Sequence, residues 1–243
     1  MSELICLGDS ITDCNHLFED YPLGNGYVRI LAKKFVSDSG SFSQMEKKNA
    51  SSRYNLSLSA SASANSITQV RNYGADGFTV ARILDQISSF HIPLSSSSVV
   101  TLLVGINDIG LMMNTNRTEK QKQDMMQNFF VHYEQLLKLL IDRLYPQMPS
   151  DTEHPQIILM EPFIFPHPDE YMLWIPHIQT MSHGIGKLAR RYHTPYILLH
   201  DFFNAVAQKQ GYDVITGDGI HLTPYGHQLL ADRICHYCSL LSQ

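Results

Sequence analysis

The sequence predicts an α/β protein built around one parallel sheet, because short apolar segments alternate along the chain with longer segments of helical periodicity. The apolar segments are nearly continuous, which is typical of parallel strands that helices cover on both faces. This alternation predicts a doubly wound sheet with right-handed crossovers. The five predicted strands span residues 4–8, 67–73, 99–104, 157–161 and 196–199.

Four helices are evident between and after these strands, because apolar residues recur there at the spacing of one helix face. The last helix has a clear start signal, since Thr223 can cap a helix and Pro224 suits its first position. The predicted helices span residues 79–90, 121–145, 178–192 and about 224–241.

The chain has 243 residues, of which 44% are hydrophobic, so it can form a single domain over residues 1–243 with a sizeable core. One segment does not fit the alternation, an insertion at about 37–66 that is rich in Ser and Asn. Its composition favours flexibility. Long loops in compact domains are often functional, however, so a hairpin or a lid over the site is an equal alternative.

Composition also excludes several classes of partner. The formal net charge is -5 and no basic face is visible, so nucleic acid is not an expected partner. No apolar run approaches the roughly 18 residues of a membrane helix, so membrane insertion is not expected. The N-terminus lacks a basic region followed by a long apolar stretch, which predicts no secretory signal and a cytoplasmic location.

Cysteine and histidine give no clear metal signal. Cys235 and Cys238 form a C-x-x-C pair, which can be a redox or metal motif. The pair lies late in a helical pattern without a second pair elsewhere, which favours ordinary helix packing. None of the 12 histidines is in an H-E-x-x-H arrangement. We therefore expect no metal and no cofactor.

Reactive side chains follow the predicted strands, and sites in open α/β sheets gather beyond the carboxyl ends of the strands. Ser10 comes just after the first strand and Gly8, on a turn that could expose its hydroxyl. It could equally cap the following helix. After the second strand, Gly77 could bring a backbone N–H close to a ligand, or could belong to an ordinary turn.

Further candidates follow the third and fifth strands. Asn107 can offer a side-chain N–H to an oxyanion, or it can form an Asx-turn. Asp218 lies three residues before His221 and can fold back onto the imidazole Nδ1–H. That contact would leave Nε2 to accept a proton. The alternative for His221 is an ordinary hydrogen-bonded loop histidine.

The arrangement of these candidates says more than any one of them. A nucleophile, an oriented base and oxyanion donors are the parts that acyl transfer needs, and all fall on the same edge of one sheet. The Gly-x-Ser-x-Gly elbow is absent, which implies a different serine-hydrolase fold. A domain that binds a small ligand without turning it over is the alternative from another class. The presence of Ser10, Asn107 and His221 favours the enzyme.

Four ordered blocks resemble those of the SGNH, or GDSL-type, hydrolase family, and the resemblance spans nearly the whole chain. It implies that Ser10 is the nucleophile of a triad with Asp218 and His221. It also implies an oxyanion hole formed by the N–H groups of Ser10 and Gly77 and the amide of Asn107. The blocks are Gly8-Asp9-Ser10, Asn72-x-Gly74-x-x-Gly77, Gly105-x-Asn107-Asp108, and Asp218-x-x-His221 with its continuation to His227.

The resemblance further implies a flavodoxin-like three-layer α/β/α sandwich with a five-stranded sheet in the order 2-1-3-4-5. Residues 8–13 and 161–163 resemble a branch that includes carbohydrate O-acetylesterases and lysophospholipase-like enzymes. The sequence departs from the family pattern in its 37–66 insertion and in Tyr225 within the last block. We interpret Asp9 as a residue that orients the nucleophile loop, and His227 as a packing residue.

The expected function is that of a serine esterase acting on a small-molecule ester, with acetyl esters on a carbohydrate preferred. Phe163, Phe165 and Trp174 lie in a proline-stiffened segment after the fourth strand and could stack on a sugar ring. Alternatively these aromatic residues pack the segment onto the core. Longer acyl chains, as in a lysophospholipase or thioesterase, are the rival substrate. Nothing in the pattern pairs Glu161 with Asp218 as a glycosidase would require.

Overall fold

A computed structural model describes residues 2–18, 22–36, 67–89, 92–114, 116–147, 154 and 156–240. Its strands are β1 (Ser2–Gly8), β2 (Ile67–Gly74), β3 (Ser98–Leu103), β4 (Ile157–Met160) and β5 (Tyr196–Ile197). They form one parallel sheet in the order β2-β1-β3-β4-β5. The predicted fold class and strand order are confirmed.

Helices cover both faces of this sheet. They are α1 (Ser10–Asp13), α2 (Tyr27–Val36), α3 (Val80–Ser89), α4 (Ile106–Met113), α5 (Glu119–Leu144), α6 (Ile175–Arg191), α7 (His200–Gln210), α8 (Tyr212–Ile215) and α9 (Pro224–Leu240). A 3-10 segment, Asp169–Leu173, lies between β4 and α6. Helix α2 packs against α9, whereas α5 packs against α3, α4 and α6. The four predicted helices correspond to α3, α5, α6 and α9.

The core explains why the strands read as continuous apolar runs. In β1, Leu4, Ile5 and Leu7 have no exposed surface, and all four residues of β4 are buried. Neighbouring residues of a strand point to opposite faces, so full burial requires helices on both sides of the sheet. Burying apolar surface in this way is the main source of folding stability.

Three longer helices were not predicted, and two of them begin close to a strand end. Helices α4 and α7 each start three residues after a strand ends, so little sequence separates the strand from the helix. Strand β5 ends at residue 197 and not at residue 199, because the N–H groups of Leu199 and His200 both donate to Glu161 Oε2, at 2.7 Å each. Helix α2 is the third.

Two further predictions concern the insertion and the absence of a membrane helix. The insertion at 37–66 lies outside the described residues. Within the described part of the chain, no helix combines the length and the apolar character needed to cross a membrane.

Candidate active site

The loop that carries Ser10 begins where the ends of three strands are aligned. Gly8, the last residue of β1, pairs with Gly74 of β2 on one side and with Leu103 of β3 on the other. A side chain at Gly8 would place its Cβ 2.1 Å from Thr12 Oγ1 and 2.6 Å from the Leu103 carbonyl oxygen. Only glycine therefore fits at this position, and the loops after all three strands open onto the same edge of the sheet.

Asp9 and Ser10 have different tasks in the turn after β1. Asp9 is the N-cap of α1, and its Oδ1 accepts a hydrogen bond of 3.1 Å from the Ile11 N–H. The alternative in which Ser10 caps the helix is thus not what occurs. Instead, Ser10 Oγ lies 2.9 Å from His221 Nε2, although the two residues are 211 positions apart.

His221 is oriented by Asp218. Its Nδ1 lies 2.6 Å from Asp218 Oδ2, and the N–H groups of Ile220 and His221 donate to Asp218 Oδ1 at 2.9 and 2.7 Å. Since the carboxylate accepts a hydrogen bond from Nδ1–H, Nε2 of the neutral ring has a free lone pair and can accept a proton from Ser10. Both side chains are about half exposed, so the pair opens onto solvent.

The charge state of Asp218 follows from these bonds. Partial burial alone would raise the pKa of Asp218, but the hydrogen bonds from the His221 ring and from the two backbone N–H groups outweigh it and hold the pKa below its ordinary value. Asp218 is therefore a carboxylate at neutral pH. A carboxylate in this position can stabilise a positive charge that forms on the imidazole during proton transfer.

Asn107 and the loop that contains Gly77 are joined to each other. Asn107 Nδ2 donates to the Phe78 carbonyl oxygen at 3.0 Å, which uses one of the two amide hydrogens. Gly77 is exposed, has a φ of +69°, and has no atom within 4 Å of the place where a Cβ would lie. Asp108 is bonded to the end of the same loop, because its Oδ2 accepts from the N–H of Val80, the first residue of α3, at 3.1 Å.

Asn72 organises the loops although its sequence pattern suggested no role for its side chain. Its buried amide nitrogen donates to the carbonyl oxygens of Thr12, Asp13 and Leu23, at 2.8, 3.2 and 3.1 Å. Its Oδ1 accepts from the Gly74 N–H at 2.9 Å. The sequence did contain a signal for this role, because Asn72 lies near the end of a strand predicted to be buried, and a buried amide nearly always has hydrogen-bond partners.

Asp9 and Asp108 are carboxyl groups in an unfavourable environment for charge. Burial raises the pKa of each to about 7, and each of these groups feels the negative charge of a neighbouring aspartate, Asp76 for the first and Asp9 for the second. The cap that Asp9 provides agrees with the structural role inferred for it. Both carboxyl groups are placed to hold backbone and not to react.

His227 is a packing residue, as its position in the last block suggested. It is 5% exposed, and its Nδ1 accepts from the Tyr27 N–H at 3.2 Å. Its Nε2 lies 3.5 Å from Cys14 Sγ. Burial, together with the nearby charge of His221, lowers the pKa of His227 to about 4, so the ring is neutral at physiological pH.

The prediction that aromatic residues after β4 contact substrate needs correction. Phe163 and Phe165 have no exposed surface, because both pack on Phe203 of α7 with ring centroids 4.6 and 6.2 Å away. A substrate therefore cannot contact these two rings. Trp174 is 6% exposed and packs against Tyr171, at 4.7 Å between ring centroids. The alternative, in which these aromatics pack the segment onto the core, describes them.

Glu161 serves the fold in the same region. One carboxylate oxygen accepts the two N–H groups at the start of α7, and the other accepts the Ser182 hydroxyl. Both oxygens are thus engaged inside the protein, and the residue is 7% exposed. Nothing in this arrangement pairs Glu161 with Asp218.

The C-x-x-C pair lies on α9 and packs as an ordinary part of a helix. Both thiols are unbridged. Burial raises the pKa of Cys235 to about 11 and that of Cys238 to about 12, so both thiols stay protonated at neutral pH. Among the residues that the structure describes, no group of three or more His, Cys, Asp or Glu side chains could hold a metal ion.

A parallel α/β sheet with a serine, a histidine and an aspartate joined in series at its carboxyl edge is typical of a serine hydrolase of carboxylic esters. The family comparison agrees, because residues 6–229 match the model of the GDSL-like lipase/acylhydrolase family. The chain belongs to this family, as its four sequence blocks predicted. No curated protein matches the chain.

Solved structures of similar fold cover almost the whole chain. A protein from Parabacteroides merdae described as a GDSL-like lipase has a TM-score of 0.71 and 20% identity, over 98% of this chain and 95% of its own. A catalytic mutant of Axe2, an acetylxylan esterase from Geobacillus stearothermophilus, has a TM-score of 0.67 and 18% identity, over 97% of this chain and 93% of its own. LAE5, an alpha/beta hydrolase enzyme from the metagenome of Lake Arreo, has a TM-score of 0.64 and 19% identity, over 99% and 96%.

Proposed function

We propose that Ser10 is the nucleophile of an ester hydrolase, with His221 as its base and Asp218 as the residue that orients the base. The observation that carries this proposal is the series of two short contacts, 2.9 Å from Ser10 Oγ to His221 Nε2 and 2.6 Å from His221 Nδ1 to Asp218 Oδ2. Nucleophile and base within hydrogen-bond reach, with the base held by a third group, is the arrangement that activates a serine.

The reaction proceeds in two acyl transfers. Ser10 Oγ attacks the ester carbonyl carbon while His221 Nε2 takes its proton, and Asp218 stabilises the imidazolium that results. The imidazolium then gives that proton to the leaving alcohol as the carbon–oxygen bond of the ester breaks, which leaves an acyl group on Ser10. Water attacks this acyl-enzyme with the same proton transfers, and releases the carboxylic acid and free Ser10.

Three donors are proposed for the oxyanion that forms in each transfer, namely the N–H groups of Ser10 and Gly77 and the side-chain amide of Asn107. The alignment of the ends of β1, β2 and β3 supports this grouping. The unobstructed surface at Gly77 supports it too, as does the hydrogen bond by which Asn107 holds the neighbouring Phe78. Donors fixed in place before the reaction stabilise developing charge without having to reorganise.

We propose short-chain esters, and acetyl esters of a carbohydrate in particular, as the substrate. The chain resembles an acetylxylan esterase over 97% of its length, at 18% identity. Tyr171 supplies an aromatic ring beside the acid–base pair, since it is only partly buried and lies against Gly219, the residue that follows Asp218. Aromatic rings next to polar groups suit sugars, which have both apolar faces and hydroxyls.

Longer acyl chains are the second candidate, and one observation favours them. Large apolar side chains are exposed on α4 and in the 3-10 segment, where a lysophospholipase or thioesterase could use them. They are Leu111 at 53%, Met172 at 58% and Leu173 at 70% exposure. A protein that only binds its ligand is the third alternative, and it would have no need of a histidine held by a carboxylate against a serine.

The experiment that tests the catalytic proposal is substitution of the nucleophile. Ser10→Ala is expected to retain the wild-type melting temperature and to lose nearly all activity on p-nitrophenyl acetate. A serine-directed organophosphate should label Ser10 in the wild type. Ser89→Ala, at an exposed position of α3, is the matched control and should behave as wild type. Near-normal turnover by Ser10→Ala, or labelling at another serine, would contradict the assignment.

A further inference from the structure

The residues proposed as acid and base lie in a short closed loop between α8 and α9. Thr216 and Leu222 form an isolated antiparallel bridge that closes this loop. The bridge encloses the five-residue stretch from Gly217 to His221. The geometry of the acid–base pair thus depends on how the backbone of this loop is held.

The hydroxyl of Thr216 is bonded to the loop at two points. Thr216 Oγ1 donates to the His221 carbonyl oxygen at 2.8 Å and accepts from the Gly219 N–H at 2.9 Å. The direction of both bonds is certain, because a carbonyl oxygen only accepts and a backbone N–H only donates. Thr216 is 3% exposed, so little water competes for either bond.

These two points adjoin the residues proposed for the chemistry. Gly219 directly follows Asp218, and the other bond ends on the carbonyl group of His221 itself. Asp218 Oδ1 in turn accepts from the N–H groups of Ile220 and His221. A shift of this backbone would therefore change the separation between the carboxylate and the imidazole, and with it the aim of Nε2 at Ser10.

We propose that Thr216 is a positioning residue for the acid–base pair: its hydroxyl holds the loop in the shape that aims His221 at Ser10. The inference rests on the proposed function of Ser10, Asp218 and His221. Thr216 touches no reacting atom, and acts only through the backbone of Gly219 and His221.

Other contacts hold the loop in place without Thr216, so its loss should loosen the loop and not unfold the protein. The Gly217 N–H also donates to the His221 carbonyl, at 3.2 Å, and the Phe165 N–H donates to the Gly219 carbonyl at 2.9 Å. Gly219 itself is packed so closely that an added Cβ would lie 2.0 Å from the His167 carbonyl oxygen.

The test compares Thr216→Val, which keeps the shape but not the hydroxyl, with Thr216→Ser, which keeps the hydroxyl. For Thr216→Val we expect kcat on p-nitrophenyl acetate to fall by roughly 10-fold to 100-fold with little change in KM, as for misplaced catalytic groups. The rate of organophosphate labelling at Ser10 should fall in parallel. Thr216→Ser should restore both rates.

Thr223→Val is the matched control, because it removes a hydroxyl from the other end of the same region. Thr223 Oγ1 donates to the Val214 carbonyl and accepts from the Gly226 N–H, so it holds no part of the backbone from Asp218 to His221. We expect this variant to lose thermal stability and to keep its kcat. Loss of stability by itself would thus be separated from loss of positioning.

The outcomes are distinguishable. If Thr216→Val is folded and keeps wild-type kcat, or if Thr216→Ser loses as much activity as Thr216→Val, the positioning role is overturned while the hydrolase proposal stands. Thr216→Ala provides the same comparison if valine prevents folding. If the wild type neither cleaves p-nitrophenyl esters nor reacts with the organophosphate, the proposed function fails and the inference fails with it.

Discussion

At the scale of single residues, the turn after β1 depends on how two adjacent side chains are used. Asp9 supplies the cap that α1 requires, so the Ser10 hydroxyl is available to His221. An N-cap and a nucleophile both need an oxygen on a short side chain near a helix start. The sequence Asp9-Ser10 provides one oxygen for the cap and one for the proposed nucleophile.

Asn107 offers a prediction about the oxyanion. Asn107→Ala is expected to lower kcat by roughly 10²-fold to 10³-fold, the usual effect of removing one donor from an oxyanion hole. Steady-state kinetics on p-nitrophenyl acetate measures this. Asn114→Ala, at the exposed end of the same helix, is the control. A loss confined to KM would mean that Asn107 binds substrate without stabilising the transition state.

Asp9 offers a prediction about pH. Its folded-state pKa of about 7 lies above the ordinary 3.8, so the folded protein binds this proton more tightly than the unfolded chain does. The contribution of Asp9 to stability is therefore complete below about pH 4 and is lost as the pH rises towards 7. Its size is on the order of a few kcal/mol at most.

Asp9→Asn should remove this loss, since the amide oxygen can still accept from the Ile11 N–H. We expect the variant to be more stable than the wild type at pH 8, and its free energy of unfolding to fall less between pH 5 and pH 8. Urea denaturation at a series of pH values measures both. Asp85→Asn, at an exposed position of α3, is the control. A variant whose pH dependence parallels that of the wild type would refute the assignment.

At the scale of elements, the transition from β5 to α7 depends on a carboxylate contributed by another strand end. Glu161 lies just beyond β4 and accepts hydrogen bonds from the N–H groups of Leu199 and His200 at the start of α7, which have no partner inside the helix. These two bonds both end β5 and start α7. A charge placed at a helix N-terminus is also favoured by the helix dipole.

Glu161→Gln should therefore weaken the fold and leave the chemistry intact. We expect it to lower the free energy of unfolding by about 1–3 kcal/mol, the range for a buried charge-assisted hydrogen bond. The kcat per folded molecule should remain within about twofold of the wild type, if one hydrogen bond is lost outside the site. Asp142→Asn, at an exposed position of α5, is the control for stability. A large fall in kcat with unchanged stability would place Glu161 in the chemistry.

At the scale of the whole molecule, the size of the proposed substrate depends on which surface lies beyond the proposed acid–base pair, Asp218 and His221. Trp174 contacts both the 3-10 segment and α4, because it packs on Tyr171 and lies 3.7 Å from the point where a Cβ on Gly110 would be. Tyr171 in turn lies against Gly219, next to Asp218. One aromatic contact thus links the loop of the acid–base pair to α4, which begins beside the proposed oxyanion donor.

Activity on a series of esters decides between the two proposed substrates. We expect kcat/KM for p-nitrophenyl esters to be highest for acetate and to fall steadily towards palmitate, because the aromatic and polar surface beside Asp218 suits a small acyl group on a sugar. Acetylated oligosaccharides should be deacetylated as well. A higher kcat/KM for decanoate or palmitate would favour the lipid-directed alternative, and the exposed Leu111, Met172 and Leu173 would then be the residues to substitute.

The sequence by itself determined the fold class and, through the family resemblance, the strand order, and it supplied Ser10, Asn107, Asp218 and His221 as candidates. These are local features, since each candidate is a polar residue a few positions after a buried strand or three residues from its partner. The alternation of strands and helices likewise follows from the spacing of apolar residues along the chain, and so it can be predicted without knowing the tertiary contacts.

Only the tertiary structure decided which groups are used and how. Phe163 and Phe165 looked accessible because they lie in a loop beside the site, yet α7 brings Phe203 over them and buries both. No local sequence pattern contains the groups that end β5, that bond to Glu161, or that form the two hydrogen bonds of the Thr216 hydroxyl. Burial and hydrogen-bond partners are properties of residues that meet in space, and for Ser10 and His221 that meeting spans 211 positions of the chain.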